Sequence, residues 1–249
     1  GDEIGVLYDS FNHMTGEMRN LIDTIYREQE KLRREELKAL QAQINPHFLY
    51  NTLDSIIWSL RMRQVEESIE MLTALTDFFK ISLSKGRDII TIEEEVKHIK
   101  SYLSIQHRRY QEKFDYDIHV DPSILSCRTP KLILQPVVEN AIYHGIKPME
   151  EKGYIYIHIF PQEGDVILQV QDTGMGMDED TCRRLNRELD TISSDQQGTG
   201  YGVRNVNDKI KIVYGSRYGV TIESAMGEGT VVTLRIGKKG EASDESDYL

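Results

Sequence analysis

This sequence of 249 residues is poor in cysteine and lacks both net positive charge and long apolar runs. Its two cysteines, Cys127 and Cys182, lie far apart and form no metal-ligand pattern, so a reduced, cytosolic compartment is expected. No run approaches the roughly 18 apolar residues that a membrane-spanning helix needs. The net charge of −11 argues against bulk attraction to nucleic acid or anionic lipid. Because the sequence begins at Gly1 without a methionine, we expect a piece of a longer protein.

Glycine and proline are almost absent between residues 17 and 113, where only Gly86 and Pro46 occur, and this composition favours helix. Apolar residues recur there at spacings of three and four, first at Met18, Leu21, Ile25 and Leu32. The same spacing resumes in a shifted register at Leu37, Leu40, Ile44 and Phe48. The pattern predicts a coiled-coil seam that slips near residues 33–36 and packs within the chain or against a second copy.

Two further helices are predicted before residue 114. The first covers Glu66–Leu83 with a broad apolar face, and Ser84-Lys85-Gly86 is its stop signal. The second opens at Thr91, because Thr91 and Glu94 have the spacing of a capping box, and extends to about Phe114.

After residue 114 the sequence alternates short strand-like runs with helical segments, and this mixture predicts a two-layer α/β sandwich with helices on one face of a sheet. The predicted strands are Tyr116–Val120, Tyr154–Phe160, Val166–Gln171, Val220–Ser224 and Thr230–Ile236. The predicted helices are Leu132–Tyr143, Asp178–Leu189 and Gly202–Tyr214. The acidic residues 239–249 are expected to form a disordered tail.

Three glycine-rich segments adjoin these strands and helices: DTGMGM at 172–177, GTGYGVRNV at 198–206 and GEGT at 227–230. Glycines at alternate positions before a helix let backbone amides approach an anion, and the helix N-terminus adds partial positive charge. Taken singly, each segment could equally be an ordinary turn or hairpin loop.

The fourth element is LQPVVENAIYHG, residues 134–145, in which Asn140, Tyr143 and His144 share one face of a helix. An asparagine carbonyl beside phosphate-binding loops suits Mg²⁺, which takes oxygen ligands. An isolated asparagine more often caps a helix or faces water, but the four elements in this order favour a nucleotide site.

Asn140 and the three glycine segments together resemble the N, G1 and G2 boxes of the Bergerat ATP-binding fold. The stretch LQAQINPHFLYNTL, residues 40–53, combined with LQPVVENAIYHG, is similar to the LytS/YesM-type family of sensor histidine kinases. This resemblance covers about residues 37–236. Residues 2–14, DEIGVLYDSFNHM, resemble the second helix of a HAMP linker, which normally follows a transmembrane segment.

The resemblance implies four parts along the chain. Residues 1–16 would be the end of the HAMP-like linker, and residues 17–113 the coiled coil with the dimerisation and phosphotransfer helices. Residues 114–238 would form the ATP-binding catalytic domain, followed by the tail at 239–249. The implied partners are a second copy of the chain, through the helices, and the receiver domain of a response regulator, with no nucleic acid.

The resemblance also implies roles on the phosphate side of the site. His47 would be the phosphoacceptor, with Asn51, one turn further on, orienting its ring. Asn140 would be the Mg²⁺ ligand. The turn at the phosphates would be shaped by Gly198, Gly200 and Gly202, with Tyr201 and Val203 beside them.

On the base side, Asp172 would accept a hydrogen bond from the adenine amino group, and Thr230 would lie behind the adenine. Gly174 and Gly176 would let the backbone pass close to the nucleotide, next to Met177. Residues 178–197 would form a mobile lid over the bound ATP.

The sequence departs from better-known relatives at several of these positions. Phe48 stands where an acidic residue usually follows the phosphoacceptor, so the acceptor of the His47 proton is open. Tyr143 replaces a lysine three residues after Asn140, which leaves His144 or Lys147 to face the phosphates. Pro136 takes the place of a polar residue four before Asn140.

Pro46, directly before His47, has two interpretations. It can bend the helix, since proline leaves a carbonyl one turn earlier without its partner, or it can stand at the first position of a helix that starts at Asn45.

The implied function is an ATP-dependent protein-histidine kinase, the cytosolic portion of a bacterial membrane sensor. A Bergerat-fold ATPase that only hydrolyses ATP is one alternative, although Pro136 argues against its catalytic base. A non-catalytic nucleotide-binding module is another.

Overall fold

The computed structural model describes residue 18 and residues 46–83, 87–110, 112–190 and 201–238. The chain divides into two compact units, residues 1–51 and 52–249. The HAMP-like segment, nearly all of the predicted coiled-coil seam, the acidic tail and residues 191–200 lie outside the described residues. Within the described ranges, no helix is long and apolar enough to cross a membrane.

Three long helices come first in the described chain. They are α1 (Pro46–Arg61), α2 (Val65–Ser82) and α3 (Ile92–Arg109). The predicted capping box of α3 is confirmed: the Glu94 amide donates to the Thr91 hydroxyl at 3.1 Å, and the Thr91 amide donates to the Glu94 carboxylate at 3.0 Å. The helix ends at Arg109 rather than near Phe114, because Phe114 begins a strand.

Helices α2 and α3 pack along a shared buried seam. The ring of His98 stacks on Phe78 with centroids 4.5 Å apart, and its Nε2 lies 3.0 Å from the Ser82 hydroxyl. Burial lowers the pKa of His98 to about 4, so the imidazole is neutral in the folded protein at neutral pH. At the edge of the seam, Lys97 pairs with Asp77 at 3.1 Å.

A five-stranded sheet follows the long helices. Its strands are β2 (Phe114–Val120), β4 (Gly153–Gln162), β5 (Asp165–Asp172), β6 (Gly219–Ala225) and β7 (Gly229–Gly237). Their order across the sheet is β2-β4-β5-β7-β6. Only the β2–β4 pair is parallel. All five predicted strands are confirmed to within two residues at each end.

Two short strands, β1 (Ile89–Thr91) and β3 (Arg128–Pro130), pair separately before and after β2 and were not predicted. Each has only three residues, too few for an alternating pattern to be recognised. A short 3₁₀ turn, Pro122–Ile124, precedes β3.

The remaining helices are α4 (Leu134–Asn140), α5 (Glu179–Asp190) and α6 (Tyr201–Tyr214). Alternate side chains of the central strands are buried under the helical layer, among them Ile155, Ile157, Ile159, Leu168 and Val170. The predicted two-layer α/β sandwich is therefore confirmed.

Candidate functional site

A cavity of about 320 Å³ opens between the sheet and the helices of the second unit. Its walls come from α4 and the turn after it, the end of β5, helix α5, the first turn of α6, and strands β6 and β7. Of the residues that the sequence predicted for a nucleotide site, seven line this cavity: Asn140, His144, Asp172, Gly176, Met177, Val203 and Thr230.

Asp172, the last residue of β5, is the buried carboxylate of this cavity. Burial raises its pKa to about 6, against the opposing effect of hydrogen bonds from the backbone amides of Gly174 and Thr230. The Gly174 amide donates at 2.8 Å. Thr230, the register partner of Asp172 on β7, lines the same cavity. A carboxyl group held in this way is a stronger hydrogen-bond acceptor for a ligand when it is ionised than when it is protonated.

The two glycines of the 172–177 loop are required by close backbone packing. A Cβ on Gly174 would lie 2.4 Å from the carbonyl carbon of Gly145, and a Cβ on Gly176, where φ is +66°, would lie 1.9 Å from the Ala225 carbonyl oxygen. The Met175 amide also donates to the Gly145 carbonyl at 3.0 Å. The glycines thus fix the loop between the turn after α4 and the β6–β7 hairpin.

Helix α4 continues past Asn140 into a π-helical segment, Ala141–Ile146. Its wider turn is closed by the Lys147 amide, which donates to the Ile142 carbonyl at 2.8 Å. Asn140 and His144 line the cavity, whereas the Tyr143 hydroxyl accepts a hydrogen bond from Gln106 of α3 at 3.4 Å. The sequence placed all three residues on one face, but the π turn changes the spacing. Such turns are frequent at functional sites.

Lys147 lies away from the cavity wall. Its ammonium group is 3.2 Å from the Tyr110 hydroxyl and stacks over the rings of Tyr110 and Tyr143 at 4.7 and 4.8 Å. Of the two candidates for facing the phosphates, the structure therefore places His144, and not Lys147, in the cavity.

Helix α5 contributes charged residues that the sequence analysis did not select. Arg184 and Glu188 line the cavity from α5, and Arg204 lines it from α6. The sequence signal was present in the spacing of three and four along α5, which puts Thr181, Arg184, Leu185 and Glu188 on one side of the helix. The first part of the predicted lid is thus a helix that forms a wall of the cavity.

Polar side chains fix α5 against its neighbours. The Asn186 amide donates to the Ile222 carbonyl at 2.7 Å and accepts from the Ile222 amide at 3.0 Å. At the end of α5, the Leu189 carbonyl accepts hydrogen bonds from Asn207 and Lys211 of α6, both at 2.7 Å. Asn207 also accepts from the Val220 amide at 3.0 Å. These contacts tie α5 to α6 and to the edge strand β6.

The third glycine segment is only partly described. Gly198 and Gly200 lie outside the described residues, and Tyr201 begins α6. A Cβ on Gly202 would lie 3.2 Å from Pro136, so this glycine allows close contact between α6 and α4. Val203 follows it on the cavity wall.

Glu139, next to Asn140, points off the face that lines the cavity. It accepts a hydrogen bond from Gln135 at 2.8 Å and interacts with the Tyr102 hydroxyl of α3. Burial raises its pKa. It therefore does not supply the catalytic base that the hydrolase alternative requires at the cavity.

His47 is the second residue of α1 and is exposed. The amide nitrogen of Asn51 lies 3.0 Å from its Nδ1 and 3.1 Å from its Nε2. Both residues belong to the first compact unit. Helix α1 begins at Pro46 in the described chain, but residues 19–45 are not described, so both interpretations of Pro46 stay predictions.

Comparison with known proteins identifies two family models in the chain. The model described as "Histidine kinase" matches residues 35–114, and that described as "Histidine kinase-, DNA gyrase B-, and HSP90-like ATPase" matches residues 128–240. The catalytic domain of histidine kinase ThkA, a solved structure, shares 20% identity with a TM-score of 0.45 over 60% of this chain and 94% of that one.

Two curated relatives match most of the chain. The sensor histidine kinase YesM of Bacillus subtilis is 35% identical over 96% of this chain, and the sensor protein LytS of Bacillus cereus is 33% identical over 82%. These matches cover 40% and 34% of the two relatives, so the chain spans well under half of their length. The chain belongs to the LytS/YesM-type family of sensor histidine kinases.

Proposed function

We propose that this chain is the ATP-binding and phosphoacceptor portion of a sensor protein-histidine kinase. It binds Mg-ATP, transfers the γ-phosphoryl group to its own His47, and passes that group to an aspartate of a response regulator. The observation that carries the proposal is a single cavity lined by the buried carboxylate of Asp172, by Asn140 and His144, and by Arg184 and Arg204.

The cavity provides groups for both ends of the nucleotide. The ionised carboxylate of Asp172 would accept a hydrogen bond from the adenine amino group, with Thr230 beside it and the apolar side chains of Val170 and Ile222 along the base. Arg184 and Arg204 supply positive charge from two helices, which suits the phosphates. A guanine base, which presents a carbonyl in place of the amino group, would be disfavoured by the same carboxylate.

Asn140 fits a magnesium ion because its amide oxygen is a ligand type that Mg²⁺ accepts. Mg²⁺ usually keeps several waters and completes its shell with substrate phosphates, so one or two protein ligands suffice. His144 lies on the same wall of the cavity. When bound, the ion would neutralise charge on the phosphates.

In the transfer step, one nitrogen of the His47 imidazole attacks the γ-phosphorus. A phosphorus–nitrogen bond forms, the bond between the phosphorus and the bridging oxygen breaks, and ADP leaves. The attack uses the lone pair of a neutral imidazole nitrogen. The Asn51 amide, beside both ring nitrogens, would orient the ring without removing a proton, because an amide is not a base at this pH.

We propose that the chain acts as a homodimer through its long helices. Several large apolar side chains of α1, α2 and the turn between them are exposed in the single chain, a pattern that suits burial against a second copy. They are Leu53, Ile57, Trp58, Leu60, Met62, Val65, Ile69 and Leu72.

The full-length protein is proposed to be anchored in the bacterial plasma membrane upstream of residue 1, with this portion in the cytoplasm. The resemblance of residues 2–14 to a HAMP linker supports this arrangement.

The test is to incubate the 249-residue chain with γ-labelled ATP and Mg²⁺. The chain is expected to incorporate label that is stable in alkali and lost in acid, and to pass it to a purified receiver domain. The variant His47→Gln is expected to bind ATP with unchanged affinity but to incorporate no label. Acid-labile label that persists in this variant would refute the assignment of His47, and steady phosphate release without labelling would favour a hydrolase.

A further inference from the structure

Glu95, on the buried side of α3, interacts directly with the helix that carries Asn140. Its side chain is fully buried. Its carboxylate accepts three backbone hydrogen bonds, from the amides of Leu132 at 2.9 Å and of Ile133 and Leu134 at 2.8 Å. These amides belong to the first turn of α4 and the residues just before it, where a helix leaves its N–H groups without partners. Glu95 thus caps α4 from a different helix.

Burying an ionised carboxylate is costly, so its hydrogen bonds must be retained for the fold to tolerate it. Burial raises the pKa of Glu95, while the three amides and the ammonium group of Lys209 favour the charged form. Lys209 lies on α6, whose first turn lines the cavity. Glu95 is therefore bonded directly to the start of α4 and feels the positive charge of Lys209 on α6.

A second contact between α3 and the same helical segment lies eleven residues further along. Gln106 donates one hydrogen bond to Tyr102 of its own helix at 2.8 Å and one to Tyr143 at 3.4 Å. The two contacts are equally spaced on both segments: Glu95 and Gln106 are eleven residues apart on α3, and their partners Leu132 and Tyr143 are also eleven residues apart. The two segments therefore run side by side in the same direction, and α3 holds the Asn140 segment before and after Asn140.

Helix α3 also packs against α2 on its other side, through His98 on Phe78 and through the ion pair of Lys97 with Asp77. A shift of α3 relative to the sheet would therefore change the position of α4. Six residues of helix, about 9 Å at 1.5 Å per residue, separate Leu134 from Asn140, so movement at the start of α4 reaches Asn140.

We propose that Glu95 is a positioning residue that fixes the Asn140 helix to α3, so that the placement of α3 sets the geometry of the magnesium–nucleotide site. This inference rests on the proposed function, because it assigns regulation to the same site.

The test compares Glu95→Gln with Asp165→Asn in the 249-residue chain. Both substitutions replace a buried carboxyl group with an amide of nearly the same volume. Asp165 bonds Arg235 at 2.7 Å and Tyr218 at 3.2 Å at the opposite end of β5 from Asp172, so it serves as a matched control. For each protein, the affinity for a non-hydrolysable ATP analogue is measured by calorimetry with Mg²⁺ and with EDTA.

Glu95→Gln is expected to reduce the Mg²⁺-dependent gain in affinity by about tenfold, as losses of residues that orient metal ligands commonly do. It is also expected to speed hydrogen exchange at the amides of Leu132, Ile133 and Leu134. Affinity without Mg²⁺ is expected to change little, because Asp172 is untouched.

If Glu95→Gln and Asp165→Asn lose thermal stability but keep the wild-type ratio of affinities with and without Mg²⁺, Glu95 is only structural and the proposal is wrong. Failure of the unsubstituted chain to bind the analogue would instead refute the proposed function, so the two failures are distinguishable.

Discussion

The carboxylate of Asp172 accepts a hydrogen bond from the Gly174 amide at 2.8 Å, and a Cβ on Gly174 would lie only 2.5 Å from the same carboxylate oxygen. At position 174 the backbone amide is therefore needed for the hydrogen bond, while any side chain is excluded by the lack of space. The Asp172 carboxylate and the loop that follows it therefore form a single packed unit, completed by the backbone of Gly145.

The substitution Gly174→Ala is therefore expected to abolish nucleotide binding. Its Cβ would meet the backbone of Gly145 at 2.4 Å, which cannot be relieved by a side-chain rotation, so the loop and Asp172 must move. Calorimetric titration with an ATP analogue measures the loss. Gly164→Ala is the matched control, because φ is +88° there but no atom lies within 4 Å of the added Cβ. It should cost about 1 kcal/mol of stability and leave binding intact.

Nucleotide affinity is expected to depend on pH through Asp172. Its pKa is about 6, so the carboxylate becomes neutral between pH 7 and pH 5 and would then be a weaker acceptor for the adenine amino hydrogen. Affinity should fall by up to about tenfold for each pH unit below 6. Calorimetry from pH 8 to pH 5 measures this slope.

Unfolding is not the cause of this expected loss at Asp172. A carboxyl group whose folded pKa is raised adds stability below its ordinary value of 3.8, and loses that contribution as the pH rises through 6. Protonation of Asp172 therefore raises the free energy of unfolding as the pH falls from 6 towards 3.8. Asp172→Asn should bind weakly with a flat profile, and a slope that survives in this variant would assign the titration to another group.

Arg184 and Arg204 are expected to act on the phosphates and not on the base. Replacing either by Gln should weaken binding of ATP about tenfold, the equivalent of one charge-assisted hydrogen bond. Binding of adenosine should change little. The control is Arg183→Gln on the same helix, where Arg183 pairs with Glu179 at 3.2 Å and Asp180 at 3.3 Å. Equal losses for ATP and adenosine would contradict a phosphate role.

Asn207 is expected to be a stability determinant for the cavity wall. Its buried side chain bonds the Leu189 carbonyl and the Val220 amide. Asn207→Leu therefore leaves the Val220 amide unsatisfied, while the Leu189 carbonyl keeps only its hydrogen bond from Lys211. A loss of about 2–4 kcal/mol of unfolding free energy follows, from about 1–3 kcal/mol for the unsatisfied amide and about 1 kcal/mol for the lost bond to Leu189. Urea denaturation measures it, with the exposed Asn205→Ala as the control. A change below about 1 kcal/mol would mean that water replaces these bonds.

Local sequence signals were sufficient for the elements whose boundaries depend on nearby residues. The capping box at Thr91 and Glu94 located the start of α3, and period-two alternation located the five long strands. The π-helical segment after Asn140 had no such local signal. It is accompanied by contacts between residues far apart in sequence, Tyr143 with Gln106 and Lys147 with Tyr110, which a local pattern does not reveal.

Residues that line the cavity were predictable where residue type and spacing are restrictive, as for Asp172 and Asn140. Arg184 was missed because the sequence predicted the α5 helix but not its rotation, which contacts such as those of Asn186 with Ile222 determine. Glu95 was missed for a similar reason: in the run Glu93-Glu94-Glu95 it resembles its solvent-facing neighbours. Only the fold shows that its carboxylate meets three buried amides.

The central claim is that this chain phosphorylates itself on one of its seven histidines. The most direct measurement is tandem mass spectrometry of the chain after incubation with Mg-ATP, with digestion kept at alkaline pH to preserve phosphohistidine. We predict a single phosphorylated residue, His47, with modification that increases with time and disappears when Asn140→Ala replaces the wild-type chain. Phosphate located on any other histidine, or at His47 in the Asn140→Ala chain at the wild-type rate, would contradict the account.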